Sequence, residues 1–291
     1  MNKHKKINRL IRALGSEEYS VRSLVVEALG KIGKVAIPKL ILLLKNRDVN
    51  LQFYAADALG KIGKSAIPKL MPLLEDKDDL VRSSAAYSLG SVGKSAKIAI
   101  PNLISLLADR DYSVRSSAAL ALGQIGEAAI PKLMALLEDT NAEVRCFAAY
   151  ALGQIGESAK VAIPNLILLL KDRDEKVRSH TVSALGQMGE FAKIAIPNLM
   201  PLLADEDEKV RWKIVLVLRK MGESAKIAIP NLIPLLTDEN FIVRSSTVDT
   251  LGKMGEPAKV AIPNLISLLT DEDEYLRSST AQALDRLGYK P

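Results

Sequence analysis

The stretch AIPNLISLLADRDYSVRSSAALALGQIG, Ala99–Gly126, contains two short helical patterns joined by a polar turn. In the first pattern, apolar residues recur at positions i, i+3, i+4 and i+7 from Ile100, which places them on one helix face. The second pattern follows Asp111, a residue type favoured at the helix N-cap, and stops at Gly126, a residue type favoured where helices end. This stretch therefore predicts a pair of helices packed against each other.

The same pair of patterns recurs from one end of the chain to the other. Each second pattern carries an anchor residue, an Arg or once a Gln, directly after a Val or Leu, and the anchors follow one another at steps of 30 or 33 residues. We name the smaller spacing the short step and the larger one the long step. Such a period is the signature of a solenoid, in which each repeat buries its apolar face against its neighbours. The sequence thus predicts an all-α superhelical solenoid of about nine helix-pair repeats that form a single domain over residues 1–291. The anchors are Arg22, Gln52, Arg82, Arg115, Arg145, Arg178, Arg211, Arg244 and Arg277.

Three further features predict how each repeat is built. Asp or Asn stands four residues before every anchor except the first, and should cap the second helix. The first repeat has Glu18 at this position. Pro72, Pro201 and Pro234 lie inside first helices and should bend them. Seven repeats have an inner glycine, three residues before the glycine that ends the second helix. Because glycine inside a helix costs about 1 kcal/mol, it predicts either a close approach of two backbones or an early unwinding of the last turn.

Pro101 in the first helix, Asp109 in the turn and Val114 with Arg115 in the second helix together resemble the signature of HEAT repeats. The resemblance extends over essentially the whole chain, because the signature recurs along it. The ALGxxG ending of the second helix is similar to a short bacterial HEAT subclass named after phycobilisome lyases. The resemblance implies a solenoid with the first helices on its convex side and the second helices on its concave side. It also implies a ladder of Asp–Arg pairs that links neighbouring repeats.

The residues themselves support such a ladder at one place. Seven repeats have Asp six residues before the anchor Arg, whereas the second repeat has Asn46 and Gln52 at these two positions. A partly buried Arg without its carboxylate is costly, so the joint loss of both charges is what a structural ion pair predicts. Arginines that bind phosphate groups would instead be free and exposed. The pattern favours the structural role.

The positions that vary between repeats lie on the side of the second helix that faces away from its buried stripe. A helical wheel places the first and fifth positions after the anchor on that side, and the second position at its flank. Six of the twelve aromatic residues, including the only Trp, occupy these positions, and Arg219 replaces the inner glycine on the same side. Because Trp, Tyr and Arg dominate interface hot spots, we expect a protein-binding surface there; the alternative is that the rings cover the next second helix. The expected binding residues are Phe53, Tyr54, Tyr87, Leu120, Phe147, Tyr150, His180, Trp212, Leu216 and Arg219.

The composition limits the other kinds of function. The chain is 48% apolar and 25% charged, as in soluble globular proteins, and only 4% aromatic. With Cys146 as the only cysteine and two histidines, no intramolecular disulfide and no Cys/His metal cluster is expected. No convergent acid, base or nucleophile is evident, so we expect no catalytic residue, no cofactor and no metal. No apolar run is long enough to span a membrane and no signal peptide is evident, so we expect a cytoplasmic protein without a membrane partner.

Charge is uneven along the chain. Residues 1–100 carry 18 Lys and Arg against 9 Asp and Glu, whereas the rest is close to neutral. The basic end could meet an acidic protein or nucleic acid, or it could simply be solvated. The main hypothesis is a non-enzymatic scaffold that binds a protein or peptide partner along the concave side of the second helices. The alternatives are a phycobilin lyase or isomerase, in which Tyr87, Tyr150 and Trp212 would line the chromophore groove, and nucleic-acid binding by the first three repeats.

Overall fold

The computed structural model describes residues 3–46 and 48–289 of the chain. Within these residues all regular structure is helical, and each repeat consists of a first helix followed by a second helix. Neighbouring second helices pack side by side. The prediction of an all-α solenoid is therefore confirmed.

The chain divides into two compact units, an N-terminal unit, Met1–Ile155, and a C-terminal unit, Gly156–Pro291. The N-terminal unit contains the first five repeats and the C-terminal unit contains the other four. The organisation of all nine repeats as a single domain over residues 1–291 stays a prediction.

In the N-terminal unit the odd-numbered helices are the first helices of the repeats, and the even-numbered helices are the second helices. The α-helices are α1 (Lys3–Ala13), α2 (Tyr19–Ile32), α3 (Ile37–Leu44), α4 (Val49–Ile62), α5 (Ile67–Leu70), α6 (Asp79–Val92), α7 (Ile100–Ser105), α8 (Tyr112–Ile125), α9 (Ile130–Leu136) and α10 (Ala142–Ile155). Short 3-10 segments join or extend them at Gly33–Ala36, Gly63–Ala66, Met71–Glu75, Gly93–Ala99, Leu106–Ala108 and Glu127–Ala129.

The C-terminal unit continues the same alternation of odd-numbered first helices and even-numbered second helices. Its α-helices are α11 (Ile163–Leu169), α12 (Glu175–Gln187), α13 (Ile196–Leu199), α14 (Glu208–Met221), α15 (Ile229–Leu232), α16 (Phe241–Met254), α17 (Ile262–Ser267) and α18 (Glu274–Arg286). Its 3-10 segments are Gly156–Ala162, Gly189–Ala195, Met200–Ala204, Gly222–Ala228, Ile233–Thr237, Glu256–Ala261 and Leu268–Thr270.

Capping side chains explain where the second helices begin. The Asp48 carboxylate accepts hydrogen bonds from the backbone N–H groups of Asn50 (2.9 Å) and Leu51 (3.2 Å), which otherwise lack a helical partner. Glu18 makes no such side-chain cap. The predicted caps of the other second helices are confirmed, and the capping residues are Asp78, Asp111, Asn141, Asp174, Asp207, Asn240 and Asp273.

The terminal glycine acts as predicted, and the prolines inside the first helices change the type of helix there. Gly126 has a φ of 84°, which other residues rarely adopt, and α8 ends just before it. Because Pro72 has no N–H to donate, α5 passes after one turn into the 3-10 segment Met71–Glu75. Pro201 and Pro234 have the same effect on α13 and α15.

The buried face of the second helices consists almost entirely of small aliphatic side chains. In α8, for example, Val114, Ala118 and Leu122 are completely buried. Within residues 3–46 and 48–289, no single helix is long and apolar enough to cross a membrane. One bent pair, Tyr112–Ile125 with Glu127–Leu136, meets the length and composition criteria together, but its two helices lie at 115°.

The inner glycine marks a close approach between neighbouring second helices. A Cβ atom built on Gly252 of α16 would lie 2.8 Å from both the Cα and the Cβ of Ala283 on α18. Because α16 continues to Met254, the helix does not unwind at this glycine. Of the two predicted alternatives the structure shows the close approach, and it does so as well at Gly30, Gly60, Gly90, Gly123 and Gly186.

We expect Gly252→Ala to destabilise the protein by about 1–3 kcal/mol, because the added methyl group meets backbone atoms of α18. In an open helix the same substitution would stabilise by about 1 kcal/mol, so the sign of the effect is diagnostic. A urea titration followed by the fluorescence of Trp212, the only Trp and a residue of the same unit, measures it. Ser278→Ala, at an exposed position of α18, is the control and should change stability by less than about 0.5 kcal/mol. If Gly252→Ala instead stabilises the protein, α16 and α18 can move apart without a loss of stability.

The anchor residue closes the turn between the two helices of its own repeat. Arg82 Nη1 donates to the backbone carbonyl oxygen of Asp76 at 2.9 Å. Gln52 reproduces this contact, because its side-chain amide donates to the carbonyl oxygen of Asn46. The other anchors likewise donate to the carbonyl oxygen six residues before them; they are Arg22, Arg115, Arg145, Arg178, Arg211, Arg244 and Arg277.

Within each unit, the Asp–Arg pairs that link neighbouring repeats all span a long step. Arg82 donates through Nε to Asp109 Oδ2 at 2.8 Å and through Nη2 to Asp109 Oδ1 at 2.9 Å. Among the described residues, Arg178 with Asp205 and Arg211 with Asp238 are pairs of the same kind, each between an anchor and an Asp of the next repeat. Arg115, which precedes a short step, instead pairs with Glu143 at 3.1 Å. The ladder that the resemblance implies is therefore interrupted.

Candidate protein-binding surface

The first, second and fifth positions after each anchor, together with Arg219, form what we name the second-helix surface. Of the ten binding residues expected from the sequence, Phe53 is exposed. Two, Tyr54 and Phe147, are buried. The other seven are half-buried, namely Tyr87, Leu120, Tyr150, His180, Trp212, Leu216 and Arg219.

In the N-terminal unit, four of these residues form an apolar stripe. Phe53 on α4 is 47% exposed, and its ring centre lies 5.4 Å from that of Tyr87 on α6. Leu120 and Tyr150 occupy the position of Tyr87 on the next two second helices, α8 and α10. Burial raises the pKa of the Tyr87 and Tyr150 hydroxyls, so both stay neutral at physiological pH. The apolar stripe therefore offers ring faces and neutral hydroxyl groups to a partner.

Charged side chains border the apolar stripe at its first repeats. Lys61 Nζ lies 2.7 Å from Glu27 Oε1, and both side chains are about half exposed. Burial raises the pKa of Asp57, an effect that Lys61 opposes and Glu27 reinforces. The Asp57 carboxylate is thus partly desolvated and lies near the aromatic pair of Phe53 and Tyr87. It is a candidate hydrogen-bond acceptor for a partner.

Tyr54 and Phe147 occupy second positions after their anchors, but they are buried and not available to a partner, contrary to the prediction. They are 9% and 2% exposed. The guanidinium carbon of Arg22 lies 4.9 Å from the ring centre of Tyr54, and that of Arg115 lies 5.4 Å from the ring centre of Phe147. Both anchors precede a short step, and within the described residues neither pairs with an Asp of the next repeat. The two rings therefore pack beside anchors that lack this carboxylate, as cation–π partners.

In the C-terminal unit, Trp212 lines a groove with a volume of about 430 Å³. The groove lies at the first turns of α12, α14 and α16, and it is also lined by His180 and Ile242. Ile242 is 54% exposed although it is apolar. A concave site of this size holds one or two side chains of a peptide.

Charged side chains surround the apolar part of this groove. Lys176 and Lys209 line it together with Glu175 and Glu208, so the rim carries both signs of charge. His180 is oriented by a contact of 2.9 Å between its Nδ1 and the carbonyl oxygen of Lys176. An apolar centre within a polar rim is typical of protein interfaces.

Leu216 and Arg219 do not line the Trp212 groove. Arg219 Nη1 instead donates to Asp249 Oδ2 at 2.6 Å, in an ionic cluster nearer the other end of the second helices. Sequence reasoning also missed Ile242. The available signal was an apolar residue two positions before the anchor, where the two preceding repeats have Lys176 and Lys209.

The described structure shows which reactive groups accompany the second-helix surface. Among the described residues, no group of three His, Cys, Asp or Glu side chains is placed to hold a metal ion. Cys146 is 4% exposed and therefore shielded from a substrate. The surface offers ring faces, aliphatic groups and a charged rim.

Comparison with known proteins agrees with the architecture. The chain is 21% identical to YIBA_ECOLI, with 95% of this chain and 98% of that chain covered and a TM-score of 0.56. It is 14% identical to a mutant of Kap121p over 98% of this chain and 42% of that chain (TM-score 0.61). It is 15% identical to importin beta over 97% of this chain and 45% of that chain (TM-score 0.54). At these identities the likeness shows the fold alone, and no curated protein matches the chain.

A family model described as HEAT repeats matches residues 37–100, 100–167, 163–229 and 196–285. These ranges overlap or adjoin, so they cover most of the chain without a gap. They contain the anchors from Gln52 to Arg277, whereas the first repeat, with Arg22, lies before the first matched range. The chain belongs to the family of HEAT-repeat proteins.

Proposed function

We propose that this chain is a non-enzymatic scaffold that binds a protein partner through the second-helix surface. The main support is the placement of its aromatic side chains. Phe53 and Trp212 stand directly after their anchors, at a position where the other seven repeats have Ser or Cys. Phe53 is exposed and Trp212 is half-buried in a groove, whereas the core is built from small aliphatic side chains. Large aromatic side chains at a surface supply the hot spots of protein interfaces.

The Trp212 groove indicates which kind of partner segment fits. Trp212 and Ile242 offer apolar area to a large apolar or aromatic side chain of the partner. Lys209 and Glu208 at the rim can pair with charged groups that flank this side chain. HEAT repeats belong to the solenoids that use extended surfaces of stacked helices for binding, which supports the same function.

Selection from a phage-displayed peptide library tests the proposal. We expect the wild-type protein to enrich peptides with a large apolar residue flanked by charges. Trp212→Ala should weaken the binding of the selected peptides by at least about 30-fold, because truncation of a hot-spot residue costs about 2 kcal/mol or more. Isothermal titration calorimetry measures both proteins, and the fluorescence of Trp212 reports directly on the groove in the wild type.

Tyr19→Ala is the matched control, because Tyr19 is an aromatic residue that is 71% exposed and lies in the N-terminal unit, away from the groove. It should leave peptide affinity unchanged. Circular dichroism establishes that all variants keep their helical content. Selected peptides that bind the Trp212→Ala protein as tightly as the wild type would place the binding site elsewhere.

Two alternatives have distinct readouts. The resemblance to the phycobilisome-lyase subclass predicts a visible absorbance change when bilin is added. Nucleic-acid binding rests on the exposed basic side chains of α1, and predicts DNA retention that falls steeply with salt. These side chains are Lys3, Lys5, Lys6, Arg9 and Arg12. Either result, together with failed peptide selection, would replace the scaffold function.

A further inference from the structure

Three cationic side chains converge on one carboxylate in the C-terminal unit. Asp249 Oδ2 accepts hydrogen bonds from Arg219 Nη1 at 2.6 Å and from Lys253 Nζ at 2.9 Å, and Asp249 Oδ1 accepts one from Arg286 Nη1 at 3.1 Å. Burial alone would raise the pKa of Asp249, but the hydrogen bonds from the three cations outweigh it and hold the pKa below its ordinary value. Asp249 is therefore ionised, and the cluster keeps two positive charges in excess.

The two arginines have donors to spare. Arg219 and Arg286 each donate one side-chain hydrogen bond within the described residues, both to Asp249, although a guanidinium has five N–H groups. Their side chains are 32% and 44% exposed, so the remaining N–H groups are accessible to a ligand. Arg219 stands where seven repeats have the inner glycine, and Arg286 belongs to the last repeat. The cluster is therefore a feature of the last three repeats and not of the common frame.

Hydroxyl groups surround the arginines in a cavity of about 220 Å³. The cavity is lined by Arg219, Asp249 and Arg286 together with Ser246, Ser279 and Tyr275. The Ser245 hydroxyl, which also lines the cavity, donates to the carbonyl oxygen of Ile242, whereas Ser246 and Ser279 contribute hydroxyl groups that can donate to a ligand. Arginine donors and hydroxyl donors in one polar cavity match a ligand with several acceptor oxygens.

We propose that this cavity binds a phosphate monoester group. Such a group carries a charge of about −1.5 to −2 at neutral pH and three strong acceptor oxygens. Its charge matches the two positive charges that Asp249 leaves uncompensated, and the guanidinium and hydroxyl donors match its oxygens. A carboxylate has half the charge and fewer acceptor sites, so it would leave part of the cluster unpaired. The inference does not depend on the proposed function, because a free phosphate can occupy the cavity without a protein partner.

Calorimetric titration with inorganic phosphate at about pH 7.5, where the dianion dominates, tests the site. We expect saturable binding at millimolar phosphate and weaker binding of acetate. The double variant Arg219→Gln, Arg286→Gln should lose at least about tenfold in phosphate affinity, because charge-assisted hydrogen bonds are lost from both sides of the cavity. Equal affinity of this variant and the wild type, or no saturable binding to the wild type, would overturn the proposal.

Asp249→Asn gives a readout that loss of folding does not imitate. This carboxylate competes with the ligand for the same three cations, so its neutralisation should raise phosphate affinity by about threefold or more. Lys61→Gln is the control for a general loss of positive charge, because Lys61 is an exposed, ion-paired lysine of the other unit, and it should leave phosphate affinity unchanged. An Asp249→Asn variant with unchanged or lower affinity would contradict a ligand that sits among the three cations.

The source of the phosphate group is determined by a second pair of titrations. A phosphoserine peptide that binds at least about tenfold more tightly than inorganic phosphate, while its unphosphorylated form does not bind, identifies a phosphorylated protein as the ligand. Equal affinity for the phosphopeptide and inorganic phosphate identifies a small phosphate monoester instead. Because Trp212→Ala does not touch this cavity, it should leave all these affinities unchanged, which separates the phosphate site from the peptide groove.

Discussion

Phe147→Ala should lower the free energy of local unfolding of the N-terminal unit by about 3–5 kcal/mol, the range for a fully buried aromatic side chain. Phe147 is only 2% exposed, and its ring centre lies 5.4 Å from the guanidinium carbon of Arg115 and 5.7 Å from the ring centre of Tyr112. Truncation leaves a cavity and also removes one of the two rings that lie against Arg115, the other being that of Tyr112. The Nε of Arg115 is buried without a hydrogen-bond partner in the described structure, so the loss of this ring contact also affects the Arg.

Native-state hydrogen exchange measures this prediction, because it gives an opening free energy for the amides of α8 and α10 separately from the C-terminal unit. Phe53→Ala is the matched control. Both residues follow a short step, but Phe53 is 47% exposed, and its truncation should cost less than about 1 kcal/mol. Similar losses for the two variants would mean that Phe147 is no more a core residue than Phe53.

The contrast between these two phenylalanines shows what the sequence could predict. The anchors, the caps, the helix-ending glycines and the prolines inside first helices recur along the chain, so each occurrence supported the interpretation of the others. At each of the first, second and fifth positions after the anchor, only two of the nine repeats have an aromatic side chain. These residues therefore have no such support. The two rings buried at the second position after the anchor pack against the anchor Arg of the preceding repeat, and that is a contact between repeats.

The step length carried a signal that sequence reasoning did not use. Tyr54 and Phe147 both follow a short step that begins at an Arg, and both pack against that Arg. Where an anchor Arg pairs with an Asp of another repeat in the same unit, the step is long and the Asp belongs to the next repeat. The joint loss of charge at Asn46 and Gln52 therefore affects two different links between repeats, and the prediction of a single pair at these positions was wrong.

Asp238→Ala should destabilise the C-terminal unit by about 3–5 kcal/mol, because it leaves a buried charge without its main partner. Arg211 donates through Nε to Asp238 Oδ2 at 2.7 Å and through Nη2 to Asp238 Oδ1 at 2.9 Å. The two side chains are only 8% and 5% exposed. A urea titration followed by the fluorescence of Trp212, which is adjacent to Arg211 in sequence, measures the loss.

The chain itself provides the control. Gln52 replaces the anchor Arg in the second repeat, and its amide donates to the carbonyl oxygen of Asn46. In the double variant Arg211→Gln, Asp238→Asn, the first change copies the neutral anchor seen at Gln52 and the second removes the charge of its partner, so no buried charge is left unpaired. It should recover at least about half of the stability that Asp238→Ala loses. A double variant as unstable as the single variant would show that burial of the charged Arg211 is not the cause of the loss.

The pH dependence of stability provides an independent check on this ion pair. Burial would raise the pKa of Asp238, but hydrogen bonds from Arg211 and from the backbone N–H of Asn240 hold it below its ordinary value of about 4. For a carboxyl whose pKa is lowered by folding, the stabilisation is complete above the ordinary pKa and is lost as the pH falls through the lowered value. The stability difference between the wild type and the double variant should therefore stay constant above about pH 5 and shrink below about pH 4. If the stability difference is the same above about pH 5 and below about pH 4, the ionised form of Asp238 adds nothing to the stability of the fold.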